Sequence, residues 1–434
     1  MEKKNILIIN QPLNNRGDES AHKALVRTIL NSMPNAFLTI LFIGEDEDSV
    51  RQFKVRHDRV TYHNILAFKY TKSNFKRRIY QRLIIDIFYK KWLIECLYHK
   101  KTFLWNFNPI IYWVKHYIKA ADYVVCAPGG ICMGGFQYWP HIAYLYMAKL
   151  YNKKIYYYGR SFGPFPTTTK RNRRFKDISL ELLKYFEFIS IRDNKTEVLA
   201  KKLNINYIKT VDTAFLESPY ENIPNEIQRL LQKRYMILVP NILIWHYAYK
   251  TIPKERITNL FLRIIQIIKE NDSNIQIVML PQTFNYHDNI KDDINFFKEL
   301  KNKSEYNSHI LVLNDIYSSD IQQSIISKAD YLIGARYHST VFAINHNIPF
   351  IALSYEHKIT GLLESLGGEN NMVDISDLST EERVQDILKH IKLKLDTLGS
   401  SKELSTIAKK IANNCFDKFK NSINGVSFQN WRID

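Results

Sequence analysis

The chain has 434 residues, 45% hydrophobic and 24% charged, which is the composition of an ordinary folded protein of about two domains and excludes both a disordered chain and a fibrous repeat. Its 61 basic residues against 43 acidic ones leave a net charge of +18, and its four cysteines lack a Cys-x-x-Cys pair, so neither a disulfide framework nor a zinc site is expected. No window approaches the roughly 20 uninterrupted apolar residues of a spanning helix, so the expectation is a soluble, cytoplasmic protein with buried free thiols.

In chain order, short β-branched runs alternate with amphipathic stretches, which reads as repeated βα units around parallel sheets. The first half offers strands at 5–10, 37–43, 123–127, 154–158 and 188–192. The Met1 end runs directly into the first of these and has no leader-like cleavage site. Between Phe68 and Lys119 stand twelve Lys or Arg against Asp86 and Glu95, ten of the eighteen net charges, interleaved with Tyr80, Trp92, Tyr98, Trp105, Trp113 and Tyr117. This basic, aromatic-rich insertion suits an anionic membrane surface or another polyanion, and it equally suits a plain solvated face. Residues 216–234, with Pro219 and Pro224, read as an interdomain linker. The second half offers strands at 236–239, 275–280, 309–313, 331–334 and 349–354, and the boundaries expected are a first domain over 1–217, a second over 235–400 and a helix and tail over 401–434.

Unusual residues gather just after these strands, where open α/β sheets bind ligands. After the first comes Asn14-Asn-Arg-Gly-Asp-Glu19, in which Gly17 permits a tight turn and Asp18 is placed to cap a helix. After the third come Gly129 and Gly130, and after the fourth Gly159-Arg-Ser-Phe-Gly-Pro-Phe165 with Ser161. Arg192 ends the fifth strand, and Gln282 follows the seventh. Arg336 and His338 follow the ninth, and Lys358 follows the last. These side chains are mostly cationic or hydrogen-bonding, which favours a substrate carrying carboxylate or phosphate. His338, His346 and His357 lack acidic partners at ligand spacing, so no metal is expected. No Walker loop, dinucleotide fingerprint or nucleophile elbow is present.

The blocks Asn15-Arg-Gly-Asp-Glu19, Gly129-Gly130, Gly159–Phe165, Arg192-Asp193, Val211-Asp-Thr-Ala-Phe215, Gly334-Ala-Arg-Tyr-His338 and Ser354-Tyr-Glu-His-Lys358 together resemble the polysaccharide pyruvyltransferases, from about Asn5 to Gly367. Asn14 and Pro128 depart from that pattern where glycines are usual. The resemblance implies an α/β fold of two Rossmann-like domains facing each other across a cleft, glycosyltransferase-B-like, with acceptor bound by the first and donor by the second. It implies phosphoenolpyruvate as donor, no cofactor, a sugar or lipid-linked oligosaccharide acceptor, and a pyruvate ketal as product. Arg192, His338 and Lys358 are the implied donor contacts, with Arg336, Gln282 and Ser161 beside them. His338 is the candidate general acid, or alternatively a phosphate ligand, and Asp18 the candidate base. Asn15, Asp18, Gly129 and Gly130 are the expected acceptor side. A lipid-linked acceptor would give the basic insertion a use at the inner face of the membrane. Two other readings stay open: a nucleotide-sugar glycosyltransferase on the same architecture, and a non-catalytic protein binding nucleic acid or another polyanion.

Overall fold

The structure is a computed structural model, and it describes residues 2–12, 15–43, 54–64, 99, 109–244, 246, 249–283 and 293–426. Most of the basic insertion and Asn14 lie outside the described residues. The chain forms two compact units. The first takes residues 1–13, 21–213 and 412–434, and the second takes residues 14–20 and 214–411.

The first unit is built on seven parallel strands: β1 (Lys4–Pro12), β2 (Ala36–Ile43), β3 (Val60–Asn64), β4 (Tyr123–Cys126), β6 (Lys154–Tyr157), β8 (Phe188–Ile191) and β9 (Ile208–Lys209). Their spatial order is β3-β2-β1-β4-β6-β8-β9, and β5 (Gly129–Gly134) pairs separately with β7 (Arg160–Gly163). The central strands are apolar on both faces, as a sheet covered on both sides requires. Helices α1 (Arg16–Ser32), α2 (Pro109–Ala120), α3 (Trp139–Leu150), α4 (Lys170–Tyr185) and α5 (Asn194–Lys202) connect them. The first turn of α1 is counted with the second unit.

The second unit begins with residues that look like a loose linker in sequence and are firmly tied. Asn345 donates from its amide to the carbonyl of Glu217 (2.7 Å) and to Gln323 Oε1 (2.9 Å), and its own amide oxygen accepts from Ser218 Oγ (3.1 Å). The Glu221 N–H donates to Ser324 Oγ at 2.7 Å. After α6 (Asn225–Leu230) come strands β10 (Tyr235–Val239), β11 (Gln276–Met279), β12 (Ile310–Val312), β13 (Leu332–Gly334), β14 (Phe350–Ser354) and β15 (Met372–Asp374). They are parallel and ordered β12-β11-β10-β13-β14-β15. Counted within the unit this is 3-2-1-4-5-6, the strand order of the Rossmann fold, and the first six strands of the first unit repeat it.

The helices of this unit are α7 (Lys254–Asn271), α8 (Asp293–Lys303), α9 (Ser319–Ile326), α10 (Tyr337–Asn345), α11 (His357–Leu366), α12 (Glu381–Leu395) and α13 (Lys402–Ile423). In α7 the buried Ile257, Leu260, Phe261, Ile264, Ile265 and Ile268 recur at three- and four-residue spacing, one face turned to the sheet. The last half of α13 belongs to the first unit, where Phe419 packs edge-on against Tyr156, Tyr158 and Phe188. Cys126 and Cys415 are buried free thiols. No described helix is long and apolar enough to cross a membrane.

Three fully or largely buried imidazoles set the acid limit of this fold. Burial, then Lys23 and Arg27, depress His22 to about 3, and burial, then Lys409, depress His346 to about 4. Burial and then Arg160 hold His141 well below its ordinary value. Depressed values in the folded state mean that the unfolded chain takes up protons first, so this stability is complete above about pH 6.5 and is lost as pH falls towards these lower values. Thermal unfolding measured from about pH 7 down to about pH 4 should show a steadily falling midpoint. His346→Gln should flatten that slope.

Candidate functional site

In the second unit the strand order reverses between β10 and β13, and there the carboxyl ends carry Asn241, Arg336 and His338, with Glu356 and Lys358 beyond the neighbouring β14. Gly334 closes β13 because Ser339 folds back over it: a Cβ there would stand 2.2 Å from Ser339 Oγ. That hydroxyl donates to the Arg336 carbonyl at 2.6 Å, and the Ser339 N–H does so at 3.1 Å, which starts α10 at once. His338 therefore lies in the first turn of a helix, its ring edge-on to Tyr337 and tilted against Phe342.

Arg336 is held by Asp293, a buried carboxylate at the start of α8. The other oxygen of Asp293 accepts the N–H groups of Gln282 and Thr283, both at 3.0 Å. One carboxylate thus joins the ends of β11 and β13. The guanidinium is a support for the site before it is a ligand contact.

The Asn15–Glu19 turn docks on the same place. Asn15 forms an isolated bridge with Thr283, and the Arg16 N–H donates to the Gln282 carbonyl at 3.3 Å. Asn15, and not Asp18, caps α1: its Oδ1 accepts the Asp18 N–H at 2.7 Å, and the Asp18 carboxylate reaches back to the Asn15 amide. The cap lies three residues before the expected one, so the helix starts at Arg16 and Asp18 is its third residue. Arg16 and Glu19 form a buried ion pair at 2.8 Å, and Glu19 also accepts the Ser319 N–H at 3.0 Å. Gly17 lies directly against His338, since a Cβ at 17 would stand 1.8 Å from its Nδ1. The structure therefore brings Asn15 and Asp18, read from sequence as acceptor residues, together with Gln282, Arg336 and His338, read as donor residues. The Gln282 side-chain amide is buried, and its nitrogen has no hydrogen-bond partner among the described residues.

Arg192, Ser161, Gly129 and Gly130 lie in the first unit. Arg192 pairs with the wholly buried Asp212, and Ser161 Oγ donates to Asp193 at 2.5 Å. Asp193 caps α5 by accepting the Thr196 N–H at 2.8 Å, so Ser161 is tied to a helix cap. Arg160 is the residue that sequence reasoning passed over here. Buried, it donates to the carbonyls of Gly130 (3.0 Å) and Ala127 (2.5 Å) and so fixes the glycine turn. Gly129 has a φ of 148°, which favours glycine, and the space a Cβ would enter at Gly130 is open. No group of three His, Cys, Asp or Glu among the described residues could hold a metal.

Residues 15–357 match the polysaccharide pyruvyl transferase family, a span that draws on both units, runs from Asn15 through Arg336, His338 and Glu356, and stops one residue before Lys358. The chain belongs to that family. It is also similar to the amylovoran biosynthesis protein AmsJ of Erwinia amylovora, 23% identical over 241 residues that cover 53% of this chain and 56% of that protein. The chain thus spans about half the length of the curated relative it matches. Among solved structures it resembles the UDP-GlcNAc 2-epimerase of Methanocaldococcus jannaschii, with a TM-score of 0.55 at 11% identity over 96% of this chain and 99% of the other. A trehalose-6-phosphate synthase, OtsA, gives 0.55 at 10% identity over 98% of this chain and 99% of the other. At such identity these likenesses bear on fold alone, and they show the expected glycosyltransferase-B-like class with two Rossmann-like domains.

For a polysaccharide pyruvyl transferase family member, the contact of Gly17 with His338 is a specific constraint. Gly17→Ala should cost about 1–3 kcal/mol through overpacking. Adding His338→Ala should restore most of that loss, because the clash is with the imidazole. Denaturant unfolding of the two single variants and the double variant measures both effects.

Proposed function

We propose that the protein transfers pyruvate from phosphoenolpyruvate to two hydroxyls of one sugar in a polysaccharide repeat unit, releasing phosphate and forming a ketal. The observation that carries the reading is the pairing of adjacent strand ends in the second unit: β13 delivers Arg336 and His338, and β14 delivers Lys358, each next to the start of a helix. Helix starts and cations together favour an anion. Phosphoenolpyruvate carries a phosphate and a carboxylate on a three-carbon frame. The family membership supports the same chemistry.

On this reading Lys358 and His338 hold the donor, Gln282 offers its buried amide, and Arg336 braces the wall. His338 gives a proton to the methylene carbon, and the carbon bearing the phosphate becomes oxocarbenium-like. A sugar hydroxyl attacks it and loses its proton, for which Asp18 is the candidate acceptor. The C–O bond to phosphate then breaks, the electron pair leaving with phosphate. The second hydroxyl adds to the same carbon, releases its proton and closes the ketal. A lipid-linked acceptor would bring the protein to the membrane, where the basic insertion would meet anionic headgroups.

Titration with phosphoenolpyruvate tests the donor assignment. The wild-type protein should bind it, and Lys358→Ala should weaken binding about tenfold, a modest loss because an exposed ammonium is partly screened. Equal affinity in the two proteins would remove Lys358 from the donor site. Binding of a nucleotide sugar in place of phosphoenolpyruvate would favour the glycosyltransferase reading.

A further inference from the structure

Lys358 is the second residue of α11, at the positive end of the helix dipole, where a cation is unfavourable unless an anion is at hand. Its side chain is 43% exposed, and Glu356 Oε1 lies 3.4 Å from its Nζ. Glu356 is the residue just before the helix, with φ −148° and ψ 159°, yet its side chain makes no capping hydrogen bond. Its carboxylate, 15% exposed, is used instead on Lys358 and on the Tyr355 hydroxyl, which donates to it. Tyr355 is buried with Asn241 beside its hydroxyl, so the carboxylate is backed through the ring by the residues that follow β10. The main chain is fixed as well: Ser354 Oγ donates to the Glu356 carbonyl at 3.1 Å and meets the Thr360 hydroxyl at 2.9 Å.

We infer that Glu356 is the resident counter-anion of Lys358: it holds the ammonium while the site is empty, yields it to the anionic donor, and takes it back as phosphate leaves. This rests on the donor reading above and adds a positioning residue to it. The carboxylate is 15% exposed and follows directly on a strand end, whereas the lysine side chain is 43% exposed and open to a second anion. A partly exposed ion pair is weak enough to exchange. A phosphate with two negative charges outcompetes one carboxylate, and the carboxylate in turn limits how tightly the product is retained.

Calorimetric titration of phosphoenolpyruvate and of inorganic phosphate into wild type, Glu356→Gln, Lys358→Ala and the double variant tests this. Glu356→Gln keeps an acceptor for the Tyr355 hydroxyl but removes the charge, so both anions should bind about three- to fivefold tighter, the scale of one partly exposed pair. Product inhibition by phosphate should tighten equally. The gain should vanish in the double variant, which should match Lys358→Ala. Glu356→Asp, which keeps the charge, should stay within about twofold of wild type. Unchanged or weaker binding by Glu356→Gln, or tightening that survives without Lys358, would overturn the inference. If wild type binds phosphoenolpyruvate and Lys358→Ala weakens it while Glu356→Gln has no effect, the donor reading stands and the counter-anion alone fails. If wild type binds no phosphoenolpyruvate, the donor reading fails and the inference falls with it.

Discussion

The second unit depends on one buried carboxylate. Asp293 accepts two backbone N–H groups from the turn after β11 and holds the guanidinium that ends β13. Charge-assisted bonds of this kind are stronger than neutral ones, and a buried charge left without them is costly. Through Gln282 and Thr283 the same carboxylate also sets where the Asn15–Glu19 turn docks, and that turn in turn fixes the space around His338. The position of the imidazole is therefore a consequence of packing between a glycine, a helix start and a bridged strand pair.

The same strand order appears twice, once in each unit. Proteins as distant as a sugar epimerase and a trehalose-6-phosphate synthase resemble this fold, each at 10–11% identity to the chain. Fold carries the placement of strand ends, and side chains at those ends carry the chemistry. In this chain the ends of β13 and β14 bear a cation-rich set, with no metal-binding trio among the described residues.

Much of this frame was legible in the sequence. Ten strands announce themselves as β-branched runs, and all ten are present. Those that escape have physical reasons: β3 is half-buried at the sheet edge and polar, β5 and β7 are glycine-bearing, and β9 and β15 are two and three residues long. The start of α1 was displaced because Asn15 and Asp18 are both good caps, and only geometry shows which N–H each one faces. Arg336 and His338 stood out because they follow a buried strand directly. Asp293 and Arg160 did not, since the guanidinium that Asp293 holds is 43 residues away and the carbonyls that Arg160 meets are 30 and 33 residues away. Glu356 sat inside a recognised block, but a carboxylate beside a lysine has no distinct meaning until the tyrosine and asparagine behind it are placed.

Product analysis addresses the central claim most directly. The protein would be incubated with phosphoenolpyruvate and, in parallel, with nucleotide sugars, against galactose-, glucose- and mannose-terminated acceptors. The account predicts that one acceptor gains a pyruvate ketal with equimolar release of phosphate, and that nucleotide sugars give nothing. Transfer of a sugar from a nucleotide donor, with phosphoenolpyruvate left intact, would contradict it.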